Sequence, residues 1–166
     1  MIHTTYANKI LSFITAKEKQ INGTGVCYLG LSATEIGTDG KRTINASGSN
    51  FNEPDRNDYP SYERIQISVN SALEYTDKFG SIADGFVENK TEFTTRECLE
   101  EGGWPVFYHF GLFDAKTGGH LMMSDLLRDS DGTPDTETGL YPEKSLKVEK
   151  DKVAIFRAGA LQLKLN

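Results

Sequence analysis

The sequence predicts a mainly β protein: an antiparallel β-sandwich, or a flattened barrel, of about seven to eight strands with one N-terminal helix. Short apolar or alternating runs recur along the chain, and stretches rich in Gly, Asn and Asp separate them. Only one segment has helical periodicity, so no second helix is available for the crossovers that parallel strands need. The 166 residues are the usual size of one domain, and we expect a single domain over residues 1–166.

The helix is predicted over about residues 4–19. Its apolar side chains recur at helical spacing, at Tyr6, Ile10, Phe13 and Ile14. Thr4 or Thr5 can supply an N-cap oxygen, and Lys17 and Lys19 suit the negative end of the helix dipole. An amphipathic helix in this position either packs on the sheet of its own chain or docks on a partner.

Two strands are predicted in the first half of the chain. The run "VCYLGLS" at 26–32 is almost continuously apolar and too short for a helix, which indicates a strand buried on both faces. The run "SYERIQISVN" at 61–70 alternates between polar and apolar residues, as a half-buried strand does. Weaker strand fragments follow near Tyr75, Phe86–Val87 and Glu92–Thr94.

The densest aromatic run, "WPVFYHFGLF" at 104–113, is predicted to be a central strand because both of its faces are largely apolar. His109 lies within it and is interpreted as a core histidine, since the sequence offers it no orienting partner for acid–base chemistry. The segment "HLMMSDLL" at 120–127 is the predicted partner strand.

The turn between these two strands reads "DAKTGG". We expect Asp114 to cap it through an Asx-type bond. Gly118 and Gly119 are expected at positive φ, where glycine carries no steric penalty.

Two long polar loops are predicted, at about residues 33–60 and 125–143, because turn-forming residues there replace any apolar pattern. The first loop contains "TDGK" at 38–41, which favours a short hairpin. The C-terminal segment 144–166 contains the pieces "LKV", "VAIF" and "ALQLKL", and each of them is predicted to be a strand.

The sequence contains no motif for catalysis, cofactor binding or metal binding, so we predict that the protein is not an enzyme. It lacks the GxSxG nucleophile elbow, the glycine-rich nucleotide motifs and the HxH and HExxH spacings. The stretch "DSDGTPDTE" at 129–137 has the acids of a calcium loop, but Pro134 and Leu140 stand where the EF-hand pattern needs Gly and an acid. A solvated acidic loop is the plainer interpretation. The carboxylates of "ECLEEGG" at 97–103 likewise indicate a charged loop edge.

Charge and cysteine usage narrow the expected partners. The formal net charge is −6, and the only adjacent basic pair is Lys41 and Arg42, so we expect neither nucleic acid nor an anionic membrane as a partner. Cys27 and Cys98 have no metal-ligand spacing and are predicted to be buried or half-buried free thiols. The first residues lack the apolar core of a secretory signal, which favours synthesis in the cytoplasm.

Several fragments, in chain order, resemble a family of small phage virion proteins usually called tail-fibre-like or putative tail-fibre proteins. The fragments are "TYANKILSFITA", "VCYLGLSAT", "NEPDRNDYPSYERIQI", "ENKTEFT", "WPVFYHFGLFDAKTGGHLM" and "KSLKVEKDKVAIFRAGALQLKLN". The strand–turn–strand that begins with Trp104 is the most specific of them, and Glu53, Tyr62 and Arg64 follow one another in the family's order. The two long polar loops depart from the family's usual short connections.

The resemblance implies a non-enzymatic structural component of a tailed-phage virion, made in the host cytoplasm. Its partners are then other virion proteins and copies of itself in a symmetric assembly, as a capsid decoration, a neck or collar protein, or a tail-associated protein. The alternative is a host receptor- or carbohydrate-binding module of a tail fibre, whose partner is a glycan on the host surface. For such contacts the candidate residues are tyrosines in polar stretches: Tyr59, Tyr62, Tyr75 and Tyr141.

Overall fold

The computed structural model describes residues 2–17, 25–34, 43–71, 74–129, 131–137 and 141–165. Within these residues it has one helix and nine strands. They are α1 Thr4–Ile14, β1 Gly25–Ser32, β2 Ile65–Asn70, β3 Tyr75–Asp77, β4 Phe86–Glu88, β5 Phe93–Thr94, β6 His109–Phe113, β7 Leu121–Leu126, β8 Ile155–Phe156 and β9 Gln162–Lys164. The predicted mainly β fold with an N-terminal helix is confirmed, and over the described residues the strands do not close into a barrel.

The larger sheet has the strand order β3-β2-β1-β6-β7, and every neighbouring pair in it is antiparallel. β6 is buried along its whole length and β1 along most of its length, so both central strands are covered on two faces, as their apolar runs predicted. One face packs on the hydrophobic core together with residues of the small sheets. Core members from the two layers include Leu29, Ile67, Leu112, Val87 and Leu163.

Two short antiparallel pairs, β4 with β9 and β5 with β8, form the opposite layer. The buried side chain of Asn89 joins them: its amide nitrogen donates to the carbonyl oxygens of Thr91 and Arg157, and its amide oxygen accepts from the N–H of Leu161. These bonds replace strand pairing across the turn between β8 and β9.

The predicted strand "LKV" at 146–148 is wrong, because that segment forms only an isolated bridge, between Leu146 and Phe107.

The helix is shorter than predicted and is capped differently. Its N-cap is His3, which makes no side-chain capping bond, so the expected cap from Thr4 or Thr5 is wrong. The helix ends at Ile14 because Ala16 has a φ of 59° and the Thr15 carbonyl accepts a bond from the Ser68 hydroxyl instead of continuing the helix. No basic residue occupies its last turn.

The helix packs on its own chain, since Ala7, Leu11 and Ile14 are buried. Beyond the helix end, Lys17 pairs with Asp77 of β3 rather than serving the helix dipole. No helix among the described residues is long and apolar enough to cross a membrane.

The two predicted loops are irregular where the structure describes them. Residues 43–64, called loop 43–64 below, contain no helix or strand. The hairpin predicted at 38–41 lies outside the described residues. The second loop starts after Leu126, two residues later than its predicted start at 125, and is held by a bridge between Arg128 and Glu143.

Candidate interaction surface

Loop 43–64 lies directly on the outer face of the larger sheet, the face opposite the small sheets. Gly30 of β1 and Gly111 of β6 are register partners at the centre of this face. A Cβ at Gly30 would lie 2.7 Å from Oε1 of Glu53, and a Cβ at Gly111 would lie 2.6 Å from Leu121 of β7 and 2.7 Å from the ring of Phe51. Glycine at both positions therefore leaves space that side chains of the loop and of β7 occupy.

A buried ion pair fixes the loop to the sheet. Arg64 and Glu53 form a two-pronged pair, with Nη2 to Oε2 at 2.8 Å and Nε to Oε1 at 3.0 Å. The remaining nitrogen of Arg64, Nη1, donates to the carbonyl oxygens of Ala115 at 2.8 Å and Gly118 at 2.7 Å. One guanidinium thus joins loop 43–64 to the turn after β6, and its rigid fork of donors suits this task.

Two aromatic residues complete this group, which we call the Arg64 network: Glu53, Tyr62, Arg64, Phe113 and the carbonyls of Ala115 and Gly118. The guanidinium lies 3.4 Å from the centre of the Phe113 ring, a cation–π contact. The Tyr62 hydroxyl donates to Glu53 and accepts from the N–H of Leu31. Burial, and then the Glu53 charge, raises the pKa of Tyr62 well above its ordinary value, so the hydroxyl remains a donor.

The turn after β6 is closed from within by Asp114 and His120. One Asp114 oxygen accepts the His120 N–H at 2.6 Å, and the other lies 2.8 Å from Nδ1 of the same residue. Asp114 therefore caps the turn as predicted, but by bonds to His120 across its whole length and not by the expected Asx-type bond. Partial burial raises the pKa of Asp114, but the hydrogen bonds from His120 outweigh it and lower the pKa overall. Gly118 and Gly119 have φ values of 60° and 70°, as predicted.

Three cations from separate segments surround one carboxylate beside the Arg64 network. Glu63 lies 3.2 Å from Arg96, 3.2 Å from Lys116 and 4.0 Å from Arg56. The cationic side chains are 64%, 55% and 45% exposed, in that order. We call these four residues the basic cluster. Since the three cations are distant in sequence, a search for adjacent basic residues could not find it.

A concavity of about 190 Å³ lies beside the basic cluster. Arg56, Lys116 and Thr117 line its rim, and Glu53 and Arg64 are among its inner residues. The surface around it is therefore both hollow and positively charged, in a chain whose net charge is −6.

Glu100, which sequence reasoning missed, fixes loop 43–64 at Ser61, close to Arg64 in sequence. Its carboxylate accepts the N–H and the hydroxyl of Ser61, the indole N–H of the fully buried Trp104 and the thiol of Cys98. Burial raises the pKa of Glu100, but the bonds from Ser61 outweigh it and lower the pKa from 4.5 to about 2. The residues of "ECLEEGG" thus include a structural anchor, which only the tertiary fold brings next to the loop.

A second cavity, a groove of about 380 Å³, lies between the end of β7 and the C-terminal strands. Residues lining it include Phe110, Leu126, Phe156, Leu161, Arg128 and Tyr141. Nη1 of Arg128 donates to the carbonyl of Tyr141 at 2.9 Å. A size near this value and mixed apolar and polar walls are common to small-ligand sites, which hold roughly 300–1,000 Å³.

The candidate tyrosines have different positions. Tyr62 is 3% exposed, so its prediction as a surface contact residue is wrong: its hydroxyl bonds to Leu31 and Glu53, and its ring packs against Trp104. Tyr59 is half-buried and packs on the core. Tyr141 is half-buried and lines the groove, whereas Tyr75, on the edge strand β3, is 68% exposed.

The remaining reactive side chains are buried. His109 is 2% exposed, which confirms its prediction as a core residue. Cys27 and Cys98 are both buried and free, as predicted, and burial raises the pKa of each thiol. In the acidic stretch 129–137, Asp129 pairs with Lys144. The described residues hold no group of three or more side chains that could bind a metal ion.

Comparison with known proteins gives no family for the chain: no protein-family model matches it, and no curated protein does either. The residues that carry the resemblance to phage virion proteins are nevertheless neighbours in space. Glu53, Tyr62 and Arg64 belong to one network, and Arg64 bonds to the turn of the "FGLFDAKTGG" segment.

Proposed function

We propose that the protein is a non-enzymatic structural component of a tailed-phage virion that acts through protein–protein contacts. Capsid decoration, the neck or collar, and the tail are the candidate locations. In this proposal its partners are other virion proteins and further copies of itself.

One observation carries the proposal: residues from two of the fragments that resemble the phage family are joined in one buried network. Glu53, Tyr62 and Arg64 occur in one fragment and the turn that Arg64 binds occurs in another, yet a set of buried bonds joins them. In this chain the residues that carry the resemblance are thus joined by contacts, which supports the proposal.

The surface suits a role in contacts between subunits. Loop 43–64 is fixed near its C-terminal end by Glu100, which bonds to Ser61, and in its middle by the pair of Glu53 with Arg64. Its outward side chains therefore stand on an ordered backbone. Binding through a preordered loop loses less conformational entropy than binding through a flexible one. The basic cluster adds exposed charge that a partner can complement.

The test is to locate the chain in purified particles of the phage that encodes it. Cryo-electron microscopy at a resolution that shows side chains would place the fold in the density, and quantitative mass spectrometry would give its copy number. We expect regular copies, with loop 43–64 facing a neighbouring subunit. Particles that lack the chain would contradict the proposal.

The groove favours a second candidate function, the binding of a host-surface glycan. It combines an aromatic residue from a predicted contact position, Tyr141, with polar neighbours such as Arg128 and Gln162, and rings with polar rims are common in sugar sites. A glycan array with the wild type and with Tyr141→Ala tests it. Binding that the substitution abolishes would favour this candidate, and a silent array would remove it.

A further inference from the structure

We propose that the basic cluster binds carboxylates of the acidic segment 129–137 of a second copy of this chain. The inference rests on the proposed function, since it specifies how copies associate. The proposed contact joins two oppositely charged surfaces of the same protein.

The basic cluster carries more positive charge than its own carboxylate can neutralise. Arg56, Arg96 and Lys116 contribute three cations and Glu63 one anion, which leaves an excess of two. Because all three cations lie within 4.0 Å of the same carboxylate, they also repel one another. A further carboxylate placed between the exposed cations would relieve this repulsion.

The cluster is held in place before any partner arrives. Lys116 projects from the turn that Asp114 closes and whose carbonyls, at Ala115 and Gly118, bond to Arg64. Two of the other members, Arg56 and Glu63, belong to loop 43–64, which Arg64 also anchors. The concavity beside Lys116 and Arg56 has room for an incoming carboxylate side chain. Little reorganisation is therefore needed on binding.

The acidic segment supplies the complementary charge. Residues 129–137 contain four carboxylates and no basic residue, and Lys144 pairs with one of them, Asp129. Asp131 and Glu137 are exposed, and neither forms an ion pair within the described residues. The segment follows the end of β7, whereas Lys116 lies in the turn before that strand. Glu63 precedes β2, which β1 and β6 separate from β7 in the sheet. Two different surfaces that bind each other give a heterologous contact, which builds a closed ring where the rotation closes.

The experiment is a charge swap, measured by sedimentation velocity on the full chain over a concentration series at low and high salt. One variant carries Arg96→Glu and Lys116→Glu, and the other carries Asp131→Lys and Glu137→Lys. We expect the wild type to self-associate at low salt and less at high salt. Each variant alone should associate roughly tenfold more weakly or worse, because two attractive contacts become repulsive. An equimolar mixture of the two should recover the association, since the reversed surfaces complement each other again.

A matched control carries Lys152→Glu and Lys164→Glu, which changes the net charge by the same amount as the first variant but on exposed lysines outside the cluster. It should associate like the wild type. Urea unfolding of every variant checks that the fold is retained. A wild type that stays monomeric at low salt, or a mixture that does not recover, would overturn the proposal. So would a basic cluster that binds a polyanionic glycan without self-association.

The outcome separates this contact from the proposed function. If the chain is found in the particle but does not associate through these charges, the contact is wrong and the virion role stands. If it associates by charge but is missing from the particle, the virion role is wrong and the contact stands.

Discussion

Removing the guanidinium of Arg64 should destabilise the protein more than removing any exposed arginine. The Arg64 side chain is 8% exposed, and Arg64→Ala would leave the Glu53 carboxylate, itself 21% exposed, without its cation. Loss of one partner of a buried pair costs about 3–5 kcal/mol, and two carbonyls would lose a donor at about 1 kcal/mol each. Water entering beside the partly exposed Glu53 offsets part of this, so we expect a loss of about 3–4 kcal/mol.

Urea unfolding followed by fluorescence of the buried Trp104 measures this loss directly. The unfolding midpoint should fall while the slope stays constant, which would show that stability and not the unfolded state has changed. The melting temperature should fall by roughly 6–16 °C, given about 2–4 °C per kcal/mol for a chain of this size. Arg96→Ala is the matched control, because its side chain is 64% exposed, and it should cost less than about 1 kcal/mol.

A double-mutant cycle then isolates the pair itself. Glu53→Gln, Arg64→Ala and the double variant should give a coupling energy of at least about 1.5 kcal/mol, since the two residues touch. If the unfolding free energy of Arg64→Ala lies within about 1 kcal/mol of the wild-type value, this ion pair does not fix loop 43–64 to the sheet.

Three further predictions concern acid stability, the glycine pair and the thiols. The folded-state pKa of Glu100, about 2, lies below the ordinary 4.5, so the stability that its carboxylate contributes is complete above pH 4.5 and is lost as the pH falls towards 2. Glu100→Gln should therefore flatten the dependence of the unfolding free energy on pH over that range, measured by urea unfolding. An unchanged pH dependence would contradict this. Gly111→Ala should cost about 1–3 kcal/mol by thermal melting, because its Cβ would lie 2.6 Å from Leu121 of β7 and 2.7 Å from the ring of Phe51. Gly102→Ala, with nothing within 4 Å, should be near neutral, and equal losses for the two variants would contradict this expectation. Cys27 and Cys98 are buried and have raised pKa values, so both should resist a thiol reagent in the native protein and react in denaturant. Rapid labelling of either thiol in the native protein would contradict its burial.

Local pattern was enough to predict most of the strands. The continuous apolar runs of β1 and β6 indicated burial on both faces, and the structure confirms it. His109 was correctly expected in the core, because it lies within a run of aromatic residues whose two faces are largely apolar. These properties depend on residues close together in sequence, where periodicity is informative.

The errors occur where distant residues decide the outcome. The helix was expected to continue to about residue 19, but its end depends on a bond between Thr15 and Ser68, far along the chain. Tyr62 was expected at the surface, but its contacts with Leu31 and Trp104, both distant in sequence, bury it. None of these contacts leaves a signal in the local pattern.

The candidate surface was predictable only in part. The resemblance singled out Glu53, Tyr62 and Arg64, although it gave no reason for their presence, and the structure supplies one in the bonds they share. The basic cluster could not be predicted, because Arg56, Arg96 and Lys116 meet only after the chain folds. Charge composition reports a net value and conceals such a local excess.

Imaging of purified virions by cryo-electron microscopy is the decisive test of the proposed virion role. We expect regular, symmetry-related copies of this fold at the capsid, neck or tail, with loop 43–64 and the basic cluster against a neighbouring subunit. Density and mass spectrometry of intact particles that contain no trace of the chain would contradict it.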